Sequence, residues 1–272
     1  MSGPEYRVPV TDPVRSLAHH YSGAASAYER LWAGLLHRVA RQLLDRLPLA
    51  GARRVLDVGT GVGTLLPALA EYAPAATVVG TDLAPGMIGR APERFPRVVG
   101  DATRLPFADA SVDVAVLAFM LFHLPEPPAG LRDVRRVLVD GGTVGTATWG
   151  PETSVPAIEI WEEELNRHNA PPDARVIGNH GLVDTPDKVT GMLRDAGYAG
   201  VRAETVPWEH RPSLEQFLEQ RVSLGYSARR LAGLPAEARA EVVRAGRERL
   251  LALGPEGFVH RREIVLAVAS KG

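Results

Sequence analysis

Three glycines alternate with other residues directly after a short apolar run that contains an acid. The acid is Asp57, and the glycines are Gly59, Gly61 and Gly63. A helical pattern follows at Leu65, so the segment predicts a strand, a tight turn and a helix. Glycines allow positive φ angles and let a ligand lie directly against the backbone. Asp57 could accept hydrogen bonds from a ligand amine, or it could hold the turn itself.

The spacing of these glycines disfavours a phosphate site. The series is G-x-G-x-G, and Thr64 stands where the dinucleotide fingerprint has its third glycine. The lysine-bearing P-loop pattern is absent as well. An acid just before the turn would repel a phosphate, whereas it suits a ligand with a cationic amine. A glycine-rich turn without any ligand is the alternative interpretation.

A second acid follows the next β-branched run. Asp82 comes after Thr77–Thr81, close to the distance at which α/β nucleotide-binding units place an acid on the ribose hydroxyls. Its structural alternative is a cap for the helix that begins near Pro85. Both roles can hold at once.

A third acid, Asp101, follows the short strand predicted at Arg97–Gly100. Its carboxylate could accept a hydrogen bond from the exocyclic amine of a purine, while the N–H of Ala102 donates to a ring nitrogen. The alternative is an Asx turn leading into Thr103. The next run, Val112–Ala118, is nearly all apolar, which is typical of a central parallel strand.

Together these segments resemble class I S-adenosylmethionine-dependent methyltransferases, most closely the small-molecule branch that includes the ubiquinone and menaquinone C-methyltransferases. The resemblance covers roughly residues 50–150. The matching stretches are VLDVGTGVGT, GTDLAPGMIGRA, VVGDATRLPFADASVDVAVLAFMLFHLPEP and LRDVRRVLVDGGTVGTATWG. The resemblance implies S-adenosylmethionine as cofactor, S-adenosylhomocysteine as product, and a methyl acceptor as the second substrate.

The resemblance also implies the cofactor-binding residues. The glycine turn with Asp57 would hold the methionine amine and carboxylate, and Asp82 would bind the ribose, with Leu83 on the adenine. Asp101 and Ala102 would read the adenine. An N-terminal helix would place tyrosines across the cleft, although amphipathic packing also explains them. The full predicted set is Tyr21, Tyr28, Asp57, Gly59, Gly61, Gly63, Asp82, Leu83, Met87, Asp101, Ala102 and Phe119.

His123 is the candidate general base. Methyl transfer is an in-line displacement, so the protein mainly aligns the acceptor and excludes water, and a base is needed only if the acceptor loses a proton. His123 follows the fourth strand at the ligand-binding edge of such sheets, and an unperturbed imidazole titrates near neutrality. Alternatively it packs against the loop and bonds a backbone carbonyl.

Other polar and aromatic residues give weaker signals. The run Glu162–Glu164 predicts a solvated helix face. A further group could line the acceptor side or could simply be core: Trp149, Trp161, Trp208, His168 and His180.

The predicted fold is α/β: a Rossmann-like, seven-stranded, mostly parallel sheet with helices on both faces and an antiparallel final strand. Residues 1–48 would form an arm and helices over the cofactor cleft, residues 49–150 the cofactor-binding core, and residues 151–272 a helical lid plus the last two strands. Gly141 and Gly142 would close the helix before the fifth strand. The predicted strands are Arg53–Val58, Thr77–Thr81, Arg97–Gly100, Val112–Ala118, Thr143–Trp149, Val201–Trp208 and Arg262–Ala269.

Composition limits the other function classes. The 272 residues carry a net charge of −1 and no cysteine, which excludes thiolate metal sites, disulfides and a cysteine-held iron–sulfur cluster. The sequence lacks the broad basic surface that nucleic-acid binding would need. It also lacks an apolar run that would predict a membrane span or a signal peptide. We therefore expect a cytoplasmic protein without a metal site, and monomer and homodimer remain open.

The sequence favours methyl transfer to a small, largely apolar metabolite at an oxygen, nitrogen or carbon atom. Three alternatives remain: a cyclase or isomerase that retains the cofactor, an NAD-dependent oxidoreductase, and a regulatory binding protein. The oxidoreductase is disfavoured because Thr64 follows Gly63.

Overall fold

The computed structural model describes residues 13–172 and 178–272. Seven strands of this part of the chain form one sheet in the order β3-β2-β1-β4-β5-β7-β6. Only β7 runs antiparallel to its neighbours, β5 and β6. The predicted Rossmann-like fold with an antiparallel last strand is thereby confirmed. The strands are β1 (Arg54–Val58), β2 (Thr77–Asp82), β3 (Arg97–Val99), β4 (Val112–Ala118), β5 (Leu138–Trp149), β6 (Tyr198–His210) and β7 (His260–Lys271).

Helices precede, connect and cover these strands. The first two are joined by a π-helical turn at Glu29–Ala33. None of the helices in the described ranges is long and apolar enough to cross a membrane. The α-helices are α1 (Pro13–Tyr28), α2 (Gly34–Leu44), α3 (Leu66–Tyr72), α4 (Pro85–Ile88), α5 (Pro127–Val137), α6 (Pro156–Arg167), α7 (Pro186–Asp195), α8 (Leu214–Ser223), α9 (Gly225–Ala232) and α10 (Ala236–Leu251).

Buried apolar side chains of the described residues form two large cores and a small third one, in which Ala25 packs with Met87. The main core is the sheet with its covering helices, and Ala115, Val116 and Leu117 at its centre are completely buried. This burial explains why β4 reads as a nearly unbroken apolar run. The second core lies within the helices after β5, around the fully buried Trp161 and Phe217. Helices α6, α8, α9 and α10 therefore form a layer with a core of its own, whereas α7 packs in the main core.

The beginning of β5 corrects one prediction. Helix α5 ends at Val137 and β5 begins at Leu138, so Gly141 and Gly142 lie inside the strand and do not close the helix. The β4–β5 register shifts between Val112 and Val114, and this irregularity accommodates the positive φ of Gly141. Glycine inside a strand marks such irregularities.

The N-terminal helix lies against α4, just beyond the carboxyl end of β2. The N–H of Gly86 donates to Oγ of Ser22 at 3.1 Å. A Cβ at Gly86 would lie 2.6 Å from the carbonyl oxygen of Ser22, so only glycine permits this approach. Residues 1–12 of the predicted arm lie outside the described residues, and residues 13–15 already belong to α1.

Candidate active site

A cavity of about 1000 Å³ opens at the carboxyl ends of the parallel strands. Its walls come from the strand ends, from α1 and from the helical layer. Two predicted site residues, Asp57 and Gly63, do not line it. The structure brings the other eleven together on its walls: Tyr21, Tyr28, Gly59, Gly61, Asp82, Leu83, Met87, Asp101, Ala102, Phe119 and His123.

Asp57 lies beneath the glycine turn. Its side chain is only 2% exposed, and Oδ2 accepts a hydrogen bond from the Thr60 hydroxyl at 2.7 Å. Burial raises the pKa of Asp57 to about 7, against the smaller opposing effect of that hydrogen bond. Of the two roles left open by the sequence, the structure shows the turn-holding one.

The glycine turn uses its N–H groups inside the protein. Gly59 and Thr60 both donate to the carbonyl of Thr81, at 2.8 and 2.9 Å. Gly61 donates to Oδ2 of Asp82 at 2.8 Å. Within the described chain the carbonyl oxygens of Gly59 and Gly61 accept no hydrogen bond. The turn thus offers acceptors to a ligand, which suits a cationic amine better than a phosphate.

Replacing Gly59 with alanine is expected to lower the free energy of unfolding by about 1–3 kcal/mol more than the same change at Gly141. Both glycines have positive φ angles, +73° and +76°. A Cβ at Gly59 would lie 2.7 Å from Cβ of Met120, whereas nothing lies within 4 Å at Gly141. Urea unfolding of both variants isolates the steric cost. Equal destabilisation of the two variants would show that the Met120 side chain moves aside without a measurable loss of stability.

Asp82 links the carboxyl ends of β1 and β2 through hydrogen bonds. Oδ2 accepts from Gly61 and Oδ1 accepts from the N–H of Ala84, both at 2.8 Å. Burial raises the pKa of this carboxyl group, and the backbone hydrogen bonds lower it. Each carboxylate oxygen has a second lone pair, so the structural role leaves acceptor capacity for a ligand.

Asp101 forms the Asx turn that the sequence left open. Its Oδ1 accepts hydrogen bonds from the N–H and the hydroxyl of Thr103, both at 2.8 Å. Oδ2 accepts no hydrogen bond from residues 13–172 or 178–272. One oxygen therefore fixes the loop, and the other remains available beside Ala102 on the cavity wall.

His123 contacts Tyr21 across the cavity. The Tyr21 hydroxyl lies within hydrogen-bond distance of Nε2 of His123, at 3.2 Å, and the tautomer of the ring decides which of the two donates. Burial lowers the pKa of His123 to about 3, with smaller contributions from His180 and Arg229. Burial raises the pKa of Tyr21 to about 12. Desolvation of this half-buried imidazole therefore places its pKa below the near-neutral value of an unperturbed histidine.

The weaker aromatic and histidine candidates divide into two groups. Trp149, Trp208 and His180 line the cavity. Trp161 is fully buried in the second core, and Nδ1 of His168 bonds the carbonyl of Glu164 at 3.0 Å. Helical spacing alone could not separate cavity-facing from core-facing positions.

The predicted solvated face at Glu162–Glu164 is wrong for two of its three residues. Glu164 is 3% exposed and bonds Arg249 at 3.0 Å. Glu162 accepts from Ser227 and Arg230, each at 2.6 Å. Helices α9 and α10 pack over α6, and the sequence of α6 alone does not show this contact.

The sequence analysis did not identify four basic residues on the cavity wall: Arg221, Arg229, His260 and Arg262. They belong to α8, α9 and β7, beyond the segments that carry the family resemblance. For His260 and Arg262, the sequence shows only that they lie at the start of the apolar run that forms β7. That position does not indicate a particular ligand or reaction.

Comparison with known proteins agrees with this geometry. Residues 56–145 match the protein family described as methyltransferase domain. Demethylmenaquinone methyltransferase of Beutenbergia cavernae is 32% identical over 186 residues, covering 64% of this chain and 74% of that protein. The chain belongs to the class I S-adenosylmethionine-dependent methyltransferases. Its cofactor is therefore S-adenosylmethionine.

Two further proteins are similar to this methyltransferase, one in sequence and one in structure. It is 35% identical over 157 residues to the biotin biosynthesis bifunctional protein BioHC of Cellvibrio japonicus, covering 56% of this chain but 31% of that protein. The phosphoethanolamine N-methyltransferase 2 of Haemonchus contortus, solved with S-adenosyl-L-methionine, aligns over 97% of this chain and 60% of its own, with TM-score 0.58 and 18% identity. The structural likeness shows a shared fold.

Proposed function

We propose that this methyltransferase methylates a small, largely apolar metabolite bound in the same cavity as the cofactor. One cavity of about 1000 Å³ joins the acids at the ends of β2 and β3 to an aromatic wall. In that wall the rings of Phe119 and Trp149 lie 5.0 Å apart, and those of Trp149 and Trp208 lie 4.9 Å apart. A cavity of this size has room for two small molecules side by side. This continuity is the observation that carries the proposal.

The cofactor end of the cavity supplies complementary polar groups. S-adenosylmethionine supplies a methyl group that its positive sulfur already activates. The carbonyl oxygens of Gly59 and Gly61 accept from a cationic amine, Asp82 accepts from ribose hydroxyls, and Oδ2 of Asp101 accepts from an adenine amine.

Apolar groups close this end of the cavity. Gly61 lies beneath two side chains: a Cβ there would be 3.3 Å from Cε of Met87 and 3.8 Å from Cε1 of Tyr28. Leu83 belongs to the same wall. In this proposal α1 covers the cofactor, and exclusion of water strengthens the electrostatic interactions inside.

The backbone after β4 lies between the cofactor end and the acceptor end of the cavity. Phe119 has a φ of +57°, which is strained for a residue with a side chain. Its N–H donates to the carbonyl of Ala147 at 2.7 Å, and its ring contacts Trp149. Strain of this kind collects at functional sites. We assign Phe119 to orienting the acceptor beside the amino-acid end of the cofactor.

His123 takes up the proton when the acceptor is a hydroxyl oxygen. A hydroxyl oxygen that has gained a methyl group is an oxonium, which is strongly acidic, so a weakly basic imidazole suffices. Because its pKa lies at about 3, His123 is unprotonated at physiological pH. The Tyr21 hydroxyl, 3.2 Å from Nε2, fixes the ring by accepting from Nε2–H, so that Nδ1 carries the lone pair that takes up the proton.

The helical layer supplies the acceptor side. Val155, Ile158 and Leu224 line the cavity from this layer. We assign residues 151–272 to acceptor binding and residues 1–48 to covering the cofactor. The name of the Beutenbergia relative, demethylmenaquinone methyltransferase, supports a largely apolar acceptor.

The direct test is incubation with methyl-labelled S-adenosylmethionine and a panel of quinols, phenols, amines and aromatic acids. We expect label in one acceptor class and an equal amount of S-adenosylhomocysteine. A parallel calorimetric titration compares S-adenosylmethionine with NADH. A product formed without S-adenosylhomocysteine would favour the retained-cofactor cyclase, and binding of NADH alone would favour the oxidoreductase.

A further inference from the structure

The acceptor end of the cavity contains a basic cluster, defined here as Arg221 of α8 with His260 and Arg262 of β7. Each has one buried nitrogen without a hydrogen-bond partner in the described residues: Nε of Arg221, Nε2 of His260 and Nε of Arg262. Buried polar atoms in native proteins are nearly always partnered. Three such atoms on one cavity wall indicate that a ligand supplies the missing acceptors.

The two guanidinium groups are held in place without being neutralised. Arg221 lies 5.3 Å from the ring centroid of Phe217, and Arg262 lies 5.1 Å from that of Trp149. Arg262 also donates to the carbonyl of Gly150 at 2.6 Å. Neither forms a salt bridge with a carboxylate of the described residues. By contrast, the more deeply buried Arg230 pairs with Glu162 at 2.6 Å.

The three members of the basic cluster act on one another. His260 is 7% exposed, and burial lowers its pKa to about 4, with further lowering by Arg221 and Arg262. Burial also lowers the pKa of both arginines. The cluster therefore concentrates positive charge in a poorly solvated place.

The acids near the basic cluster offset its charge only in part: Glu162 acts on Arg221, and Glu152 and Asp184 act on Arg262, yet burial still lowers the pKa of both arginines. Glu162 is engaged by Ser227 and Arg230. Glu152 lines the cavity from an exposed position, and no salt bridge joins it to either arginine of the cluster among the described residues. An anionic ligand would balance the remaining charge of these two half-buried guanidinium groups.

We propose that the methyl acceptor carries an oxyanion, a carboxylate or a phosphate monoester, which the basic cluster binds. The inference rests on the proposed function and narrows its substrate class to apolar acids. Guanidinium groups match both oxyanions through paired N–H donors, and Nε2 of His260 can donate a third bond. The apolar body of the acid would lie against Trp149 and Trp208, which adjoin the cluster.

The test compares an acid with a neutral analogue of the same shape. The enzyme is first saturated with S-adenosylhomocysteine, and calorimetry then measures the Kd of 4-phenylbutyrate, of 4-phenylbutanamide and of phenyl phosphate. We expect the better of the two anions to bind at least tenfold more tightly than the amide. The preferred anion distinguishes a carboxylate from a phosphate acceptor.

Arg262→Gln is the decisive variant, with Arg261→Gln as its matched control. Arg261 is the neighbouring residue on β7, but it is exposed and pairs with Glu209 at 3.0 Å. We expect Arg262→Gln and Arg221→Gln to lose most of the preference for the anion, and Arg261→Gln to keep it. Arg262→Lys, which retains the charge, should keep part of it, and thermal unfolding checks that each variant folds.

The outcomes separate the two proposals. The inference is overturned if the amide binds as tightly as both anions, if no probe binds, or if Arg262→Gln keeps the full preference while folded. S-adenosylhomocysteine binding is measured first in the same experiment. Its absence would contradict the proposed function, whereas its presence with no anion preference contradicts the acid-binding inference alone.

Discussion

Replacing Asp82 with alanine is expected to weaken S-adenosylmethionine binding by about 1–3 kcal/mol, roughly 5- to 150-fold in Kd. The carboxylate holds the N–H groups of Gly61 and Ala84, and in our proposal it also accepts from the ribose. The variant would lose the ligand contacts and loosen the turn that carries the carbonyls of Gly59 and Gly61. Calorimetric titration with the cofactor measures the effect.

The matched control for this experiment is Asp113→Ala. Asp113 also accepts two backbone N–H bonds at 2.8 Å, from Arg53 and Arg54, but at the opposite end of the sheet. We expect this variant to lower the thermal unfolding midpoint and to leave the cofactor Kd unchanged. If both variants weaken binding equally, Asp82 acts through stability and the ribose assignment fails. Unchanged affinity in Asp82→Ala would contradict it directly.

The cofactor end of the site could be predicted from the sequence because its signals are local. The glycine turn and the acids Asp82 and Asp101 each follow a short strand within a few residues. Parallel strands bring their carboxyl ends to one edge of the sheet, so the acids must meet there. Phe119 and His123 could be predicted to lie at the same edge because they directly follow β4, and no knowledge of side-chain packing was needed.

The acceptor end could not be predicted, because it depends on contacts between distant segments. Arg221 and Arg262 are 41 positions apart in the chain and meet only because β7 returns antiparallel between β5 and β6. The burial of Glu164 likewise depends on α10 covering α6. Burial also decides the pKa of His123, and residue type alone suggests the wrong value.

Replacing His123 with alanine is expected to lower kcat on the order of 100-fold for a hydroxyl acceptor. The cofactor Kd should stay unchanged, because in our proposal the imidazole handles the acceptor proton and holds no part of the cofactor. His168→Ala is the control, since His168 bonds the carbonyl of Glu164 outside the cavity. Tyr21→Phe should lower kcat less, because it removes only the hydroxyl that fixes the ring.

The pH profile provides a second, independent readout on His123. Burial lowers its pKa to about 3, so the ring is neutral from pH 8 down to pH 5 and becomes protonated only near pH 3. We therefore expect kcat/KM of the wild-type enzyme to show no ionisation of this residue between pH 5 and 8. A limb near pH 6.5 that disappears in His123→Ala would show a solvated histidine and contradict its burial. A kcat that stays unchanged in that variant would remove His123 as the base.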